Sequence, residues 1–165
     1  MILIAEEGER KLIRQYLPAL LNGTEDNVLV TGVGAINVLQ SLRNLPLNTP
    51  LVNIGYAGSA NFEIGSVAVV NQSLLHHPNV TYPEPVINLP KDTIVEALKS
   101  TNITPLIAPC YSSCDFVLQS KYRDCVFDME LAYIAALGFK NLQAVKIVSD
   151  NLSLHTYREF GSGVE

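Results

Sequence analysis

Short apolar segments alternate along this chain with segments whose apolar residues recur at helical spacing. The predicted strands are residues 2–5, 28–31, 51–54, 66–71, 105–108 and 144–148. The predicted helices are residues 12–20, a segment that follows Gly34, 91–100 and 128–137. Short buried strands that alternate with amphipathic helices are typical of a sheet covered by helices on both faces. The alternation therefore predicts an α/β fold.

Length and composition predict one globular domain over residues 1–165. Hydrophobic residues make up 48% of the 165 residues and charged residues 16%, a balance that supports one continuous core. We find no internal repeat and no linker that would separate a second domain. Residues 76–90 contain four of the nine prolines, which predicts an irregular loop there.

Composition also limits the classes of partner that this protein is expected to bind. The formal net charge is −5 with no cluster of lysine and arginine, so the surface repels the phosphates of a nucleic acid. No apolar run approaches the roughly 18–20 residues that span a bilayer, and the start lacks the basic segment of a signal peptide. Cys110, Cys114 and Cys125 lack the paired spacing of a zinc site. We therefore expect a cytoplasmic protein that binds no nucleic acid, membrane, metal or cofactor.

Two glycine-containing segments follow predicted strands, at the strand ends where open α/β sheets bind ligands. Residues 32–34 are Gly-Val-Gly and lie between a strand and a helix. Residues 55–58 are Gly-Tyr-Ala-Gly and are predicted to form a loop after the third strand. Glycine lets the backbone approach a ligand closely, but it also serves in a plain tight turn. The local sequence leaves both interpretations open.

Acidic residues follow predicted strands at three places. Glu6, Glu7 and Glu9 come after the first strand, where they are either the solvated first turn of a helix or include a group that activates water. Residues 128–130 are Asp-Met-Glu, and carboxylates in a first helical turn are favoured by the helix dipole. Alternatively, Glu130 binds two neighbouring hydroxyls of a sugar, because an ionised carboxylate only accepts hydrogen bonds.

The segment Ser-Asp-Asn at 149–151 ends the last predicted strand. Three residues of this type most often start a helix, because their side chains cap its first backbone N–H groups. Asp150 is instead a candidate general acid if burial raises its pKa. His76 and His77 lie in the proline-rich segment without companion ligands, so we interpret them as a surface pair.

Taken in order, these motifs resemble one family, the nucleoside phosphorylases and nucleosidases, and most closely the methylthioadenosine/S-adenosylhomocysteine nucleosidases. Residues 30–34 are similar to the glycine loop after that family's second strand. Residues 53–58 with 64–67 are similar to its Asn-Thr-Gly-Ser-Ala-Gly…Gly-Asp-Val signature. Residues 128–130 resemble its Met-Glu motif and residues 149–150 its Ser-Asp motif. The resemblance covers most of the chain and implies an α/β, three-layer phosphorylase-like fold with a mixed central sheet flanked by helices.

The resemblance also implies a role for each matching residue. Asp150 protonates or hydrogen-bonds the purine N7, and Glu9 orients or deprotonates the attacking water. Glu130 holds the ribose hydroxyls, Met129 packs nearby, and Phe116 stacks on the base. The remaining substrate contacts implied by the motifs are Gly58, Tyr56 and Ser149. The family reaction passes through an oxocarbenium-like sugar, which carboxylates near the ribose stabilise.

The implied function is a purine nucleosidase that hydrolyses the N-glycosidic bond of an adenosine-type nucleoside, similar to methylthioadenosine or S-adenosylhomocysteine. Phosphorylases of the superfamily have arginine where Asn53 stands here, and nucleosidases have asparagine, which favours water over phosphate as the nucleophile. A phosphate-dependent phosphorylase and a catalytically weak nucleoside-binding protein remain the alternatives. We expect a homodimer because relatives complete the sugar pocket with a neighbouring subunit, and the apolar residues of 76–90 are candidates for that contact.

Overall fold

Eight strands form one mixed sheet in the computed structural model, which describes residues 1–16, 27–77 and 86–162. The first six of these strands are β1 (Ile2–Ile4), β2 (Val28–Val30), β3 (Leu51–Gly58), β4 (Val67–Leu75), β5 (Ile87–Asn88) and β6 (Leu106–Ser112). The last two are β7 (Val126–Asp128) and β8 (Leu142–Asp150). The mixed sheet that the family resemblance implied is therefore present.

Five of the strands close into a ring. Strand β3 pairs with β8 in parallel, β8 with β4 antiparallel, and β4 with β6 in parallel. The ring is completed by β6, which is parallel to β7, and by β7, which is antiparallel to β3. Strands β1 and β2 extend the sheet in parallel beyond β3, and β5 adds to β4 antiparallel. This closure brings the ends of β3, β7 and β8 close together.

Helices pack on the sheet through two separate hydrophobic clusters. The helices are α1 (Glu7–Tyr16), α2 (Ala35–Leu42), α3 (Asp92–Lys99), α4 (Leu131–Ala136) and α5 (Leu154–Ser162). Helices α2 and α4 contribute to one cluster, together with Ala144 and Val148 of β8. Helices α1 and α3 contribute to the other, together with Val145 and Ile147. Because successive residues of a strand point to opposite faces, the two clusters lie on opposite sides of β8.

The parallel strands β1, β3 and β8 end at the same edge of the sheet. Gly58 at the end of β3 is in register with Asp150 at the end of β8. Strand β1 ends beside them and leads into the turn before α1. Residues from distant parts of the sequence therefore meet at this edge, which is where open α/β sheets bind ligands.

The structure corrects several predicted boundaries. Residues 55–58 are not a loop but the second half of β3, because they pair along their length with β8. Residues 128–137 are not one helix, since Asp128 ends β7 and α4 begins at Leu131. Helix α1 begins at Glu7, five residues before the predicted start, and the predicted residues 17–20 lie outside the described ranges, as do 78–85 of the proline-rich segment. Apolar periodicity does not reveal that residues 55–58 and Asp128 belong to strands, because their hydrogen bonds to neighbouring strands define them.

Helix length and apolarity bear on whether a chain can span a membrane. None of those helices is long and apolar enough to cross a membrane.

We predict that truncating the core residue Ile134 lowers stability much more than truncating an exposed isoleucine. Ile134 lies on α4 and is fully buried, whereas Ile64, in the turn before β4, is 40% exposed. Ile134→Ala is expected to lower the free energy of unfolding by about 2–5 kcal/mol, because it leaves a cavity between α4 and the sheet. Ile64→Ala is the matched control and should change it by roughly 0.5 kcal/mol or less. Urea denaturation of both variants measures the difference, and equal effects would contradict the assignment of this core.

Candidate active site

A cavity of about 450 Å³ opens at the shared edge of β1, β3 and β8. All eight residues that the sequence analysis placed at the site contribute to its lining: Asp150, Glu9, Glu130, Met129, Phe116, Gly58, Tyr56 and Ser149. The other lining residues are Ala5, Glu6, Val33, Ala57, Phe127, Asp128 and Tyr157. Seven separate parts of the chain thus supply one cavity.

Glu9 is buried at the start of α1 and is held by backbone N–H groups on both sides. Its Oε2 accepts hydrogen bonds from the N–H groups of Ala5 at 2.6 Å and Glu6 at 3.2 Å. Its Oε1 accepts one from the N–H of Tyr56 at 3.0 Å. Burial raises the pKa of Glu9, and the nearby charge of Lys146 together with these hydrogen bonds opposes the rise. The carboxylate is therefore fixed between β1 and β3.

Asp150 is the last residue of β8 and is almost completely buried. The Ser149 hydroxyl donates to Asp150 Oδ2 at 2.8 Å, and the N–H of Leu152 donates to Oδ1 at 2.9 Å. Burial raises the pKa of Asp150 despite these hydrogen bonds. Helix α5 begins only at Leu154, so the interpretation of 149–151 as a helix start is wrong. A second cavity of about 240 Å³ adjoins Asp150 and is also lined by Phe116.

Two glycines of β3 lie directly against these carboxylates. A Cβ atom built on Gly55 would stand 2.6 Å from Glu9 Oε1, and one built on Gly58 would stand 2.7 Å from Asp150 Oδ1. Real Cβ atoms do not approach other heavy atoms so closely. The glycines at positions 55 and 58 therefore make room for the two carboxyl groups. They do not form a turn, and their lack of a side chain does not serve to bind an anion directly.

Glu130 differs from the other two acids because one of its oxygens lacks a partner. It occupies the position just before α4 but makes no capping hydrogen bond with its side chain. Its Oε2 is buried and has no hydrogen-bond partner in the described part of the chain. Burial and the neighbouring charge of Asp128 raise the pKa of Glu130 to about 8. An unpaired buried acceptor is costly, so this oxygen is available to a ligand hydroxyl.

A buried ion pair that the sequence analysis did not identify lies beneath the cavity. Lys146 Nζ is 2.8 Å from Asp128 Oδ2 and donates to Asn53 Oδ1 at 2.7 Å. The side chains of Lys146 and Asp128 are only 3% and 2% exposed. Ser112 Oγ also donates to Asp128 in a short hydrogen bond, and the N–H of Leu131 donates to Oδ2. The signal that could have revealed the pair is a lysine inside an apolar strand, because a buried charge requires a partner.

The ion pair fixes the protonation states of its members. Burial alone would raise the pKa of Asp128, but the charge of Lys146 and the hydrogen bonds outweigh burial and lower it. Burial alone would lower the pKa of Lys146, but Asp128, Cys110 and Glu130 raise it. Lys146 therefore stays protonated and Asp128 ionised at neutral pH.

Aromatic side chains cover the cavity on the side of α5. Tyr157 packs edge-on against Tyr56, with ring centroids 5.8 Å apart, and against Phe116, with centroids 5.6 Å apart. Its hydroxyl donates to Glu6 Oε1 at 3.1 Å. Neither Tyr157 nor Glu6 was assigned a contact with substrate from the sequence. Their proximity depends on the return of the chain through α5 and could not be read from local patterns.

Other residues singled out from the sequence lie away from the cavity. Gly34 has a left-handed φ of +84° just before α2, so it serves the turn, although its neighbour Val33 lines the cavity. Asn53 is buried beneath the site with its Oδ1 bound to Lys146. His76 is not a surface residue but is 9% exposed and packed against Phe127, with ring centroids 5.3 Å apart.

The architecture was compared with solved structures. It matches 5′-methylthioadenosine/S-adenosylhomocysteine nucleosidase from Helicobacter pylori with butyl-thio-DADMe-Immucillin-A, at a TM-score of 0.76 and 16% identity. The match covers 99% of this chain and 90% of that one. The chain has the nucleosidase fold. The resemblance that the motifs predicted is confirmed for the fold.

Two further structures share the fold. Native futalosine hydrolase of Helicobacter pylori strain 26695 matches with a TM-score of 0.75 and 17% identity, over 99% of this chain and 90% of that one. S-adenosylhomocysteine nucleosidase from Streptococcus pyogenes, in complex with 5-methylthiotubericidin, matches with a TM-score of 0.73 and 16% identity, over 96% and 87%. No protein-family model matches the sequence. No curated protein matches it either.

We predict that a methyl group at Gly55 disturbs Glu9 and lowers stability. Gly55→Ala places a Cβ against a carboxylate that three backbone N–H groups hold in place, so relief requires breaking a hydrogen bond. The expected loss is about 1–3 kcal/mol of unfolding free energy, measured by urea denaturation. Gly8→Ala is the matched control, since a Cβ there meets nothing within 4 Å. Equal stability of the two variants would show that Glu9 is not confined by β3.

We also predict that Glu130 makes stability fall as pH rises. Its pKa in the folded chain lies above the ordinary value of 4.5, at about 8, so the folded state binds the extra proton between these values. Stability is fully present at the low end of this window and is lost towards its high end, at up to about 1.4 kcal/mol per pH unit.

Urea denaturation across that window tests this prediction by comparing the wild type with Glu130→Gln. The variant should lack the part of the pH dependence that Glu130 causes, whereas Glu96→Gln on the exposed face of α3 should retain it. Parallel stability curves for the wild type and Glu130→Gln would refute the prediction.

Proposed function

We propose that this chain is a purine nucleosidase, which hydrolyses the N-glycosidic bond of an adenosine-type nucleoside with water as the nucleophile. The observation that carries the proposal is the convergence of Glu9, Glu130 and Asp150 on one cavity in three different environments. Burial raises the pKa of all three, and their different hydrogen-bond partners suit them to separate acid, water-orienting and sugar-binding roles. The solved nucleosidases with this fold support the same assignment.

Asp150 is the proposed general acid. It lies where the main cavity meets the smaller one lined by Phe116, a space suited to a flat base beside an aromatic ring. Its raised pKa favours the protonated form, which can donate to N7 of a purine. Protonation of the base makes it a better leaving group as the bond to the sugar breaks. The Ser149 hydroxyl beside Asp150 fixes the orientation of the carboxyl group.

Glu9 is the proposed group that orients the attacking water. An ionised carboxylate offers about four acceptor sites, and backbone N–H groups occupy three of those on Glu9. Because Glu9 lines the cavity, the remaining site can accept a proton from water. That water attacks the anomeric carbon from the face opposite the base: the new C–O bond forms as the C–N bond to the base breaks, Glu9 takes the proton of the water and Asp150 gives one to the base, which leaves the free sugar and the free base.

Glu130 is the proposed ligand of the ribose hydroxyls. Its unpartnered Oε2 accepts a hydrogen bond from a sugar hydroxyl, which removes the cost of leaving this oxygen unsatisfied. Met129, Tyr56 and Gly58 line the cavity around it and supply the apolar contact for the sugar ring.

The charges in the cavity favour hydrolysis over phosphorolysis. The described lining includes five carboxyl groups, those of Glu6, Glu9, Asp128, Glu130 and Asp150, and no lysine or arginine. A phosphate dianion binds where cations or several free N–H groups offset its charge, and the described lining offers no free cation for this. Lys146 lies beneath the cavity and is neutralised by Asp128. Asn53 does not line the cavity, so its side chain does not select the nucleophile by direct contact.

We further propose that the active form is a homodimer. Val33 lines the cavity yet is 46% exposed, and the neighbouring Ile36 and Leu39 are 69% and 42% exposed on α2. A contiguous exposed apolar surface beside a ligand site is typical of an interface. A second copy placed there would close the sugar end of the cavity.

We predict that Asp150→Asn abolishes base release while leaving the fold intact. Base release from methylthioadenosine, S-adenosylhomocysteine, adenosine and inosine is measured with and without phosphate. The wild type should release a purine base at the same rate in both, and the variant should be slower by about 10²–10⁴-fold. Asp92→Asn, an exposed substitution at the start of α3, is the matched control and should keep full activity.

Other results would select the alternatives. A requirement for phosphate, with formation of a sugar phosphate, would make the protein a phosphorylase. Absence of base release from any nucleoside, together with thermal stabilisation by adenine, would make it a binding protein that lacks the chemistry.

A further inference from the structure

One part of the cavity has no role in the proposed reaction. Asp150 and Phe116 accommodate the base, Glu130 the ring hydroxyls and Glu9 the water. Apart from Asp128, which is paired with Lys146, the polar side chains of the lining that have no role in that reaction are Glu6 and Tyr157. Neither of them lines the smaller cavity beside Asp150, so the end of the main cavity that they line lies outside the space proposed for the base.

By elimination, this end receives the exocyclic carbon of the sugar. A nucleoside presents a base, two ring hydroxyls, the reacting carbon and a 5′ group. The first three are matched by Asp150, Glu130 and Glu9, which leaves the 5′ group opposite Glu6 and Tyr157. This step rests on the proposed function.

The polar groups at this end form a defined pair. Glu6 is half-buried, and its Oε1 accepts a hydrogen bond from the Tyr157 hydroxyl at 3.1 Å. Burial and the charge of Glu6 raise the pKa of Tyr157, so its hydroxyl stays protonated and remains the donor. Edge-on packing against Tyr56 and Phe116 fixes the Tyr157 ring. Glu6 thus retains acceptor sites for another partner but provides no donor.

We propose that Glu6 and Tyr157 form a specificity subsite that selects nucleosides whose 5′ group donates a hydrogen bond, a hydroxyl or an amine, over 5′-thioethers. A thioether sulfur is a weak acceptor and has no proton to donate. Seating an alkylthio group against Glu6 would remove water from the carboxylate without replacing its hydrogen bonds. An amine would also gain from the charge of the Glu6 carboxylate itself.

The test compares adenosine, 5′-amino-5′-deoxyadenosine and 5′-methylthioadenosine as ligands and as substrates. Calorimetry gives the Kd of each for Asp150→Asn, and base release gives kcat/KM for the wild type. We expect adenosine and the amine to exceed the thioether by about 10–100-fold in both measurements. Glu6→Leu should remove or reverse this preference, and Glu6→Gln should weaken it for the amine most strongly.

Two further variants keep the test decisive. Tyr157→Phe removes one hydroxyl from α5, a helix without buried residues, so it should fold normally and reduce the preference. Glu7→Leu is the matched control, because Glu7 is 68% exposed and does not line the cavity. An unchanged preference in both Glu6→Leu and Tyr157→Phe would overturn the subsite.

The outcomes separate this inference from the proposed function. Base release from all three nucleosides without the preference would refute the subsite and leave the nucleosidase intact. Binding with the preference but without base release would support the subsite and refute the enzyme. Absence of both binding and base release would refute both.

Discussion

The buried ion pair of Lys146 and Asp128 is the interaction on which the site depends. It joins β8 to β7, and through Asn53 it also joins both to β3. A lysine in the middle of an apolar strand would be strongly destabilising without a partner, and so would an isolated aspartate. Because each charge requires the other, the pair keeps β7 and β8, which both pair with β3, close to each other. It also places one positive charge under a cavity whose described charged lining residues are all acids.

That single positive charge influences all the carboxyl groups near it. It lowers the pKa of Asp128 and opposes the rise that burial causes at Glu9 and Glu130. Asp128 is the acid that pairs directly with Lys146 and stays ionised. Its negative charge in turn raises the pKa of Glu130. Within one small cavity, Asp128 is therefore firmly ionised, whereas the pKa values of Glu9 and Glu130 are raised.

The backbone completes the arrangement that the charges begin. Gly55 and Gly58 leave space on β3 that the carboxyl groups of Glu9 and Asp150 occupy. Backbone N–H groups then hold Glu9, and Ser149 with Leu152 holds Asp150. Rigid strands therefore position both groups, which suits the proposed reaction because little reorganisation would be needed during it. Helix α5 is different: none of its residues is buried, and it contributes to the cavity through Tyr157.

The sequence by itself determined the α/β class, the approximate positions of most strands and helices, and eight of the fifteen described residues that line the cavity. Apolar periodicity and the order of short motifs were sufficient because those features are local. Tertiary structure alone decided that residues 55–58 are strand, that Lys146 pairs with Asp128, and that Tyr157 reaches Glu6. Each of these depends on a neighbour far away in the chain, up to 151 positions in the case of Glu6 and Tyr157. A local sequence pattern does not indicate such a partner, because hydrogen bonds and ion pairs of this kind form only once the sheet has closed.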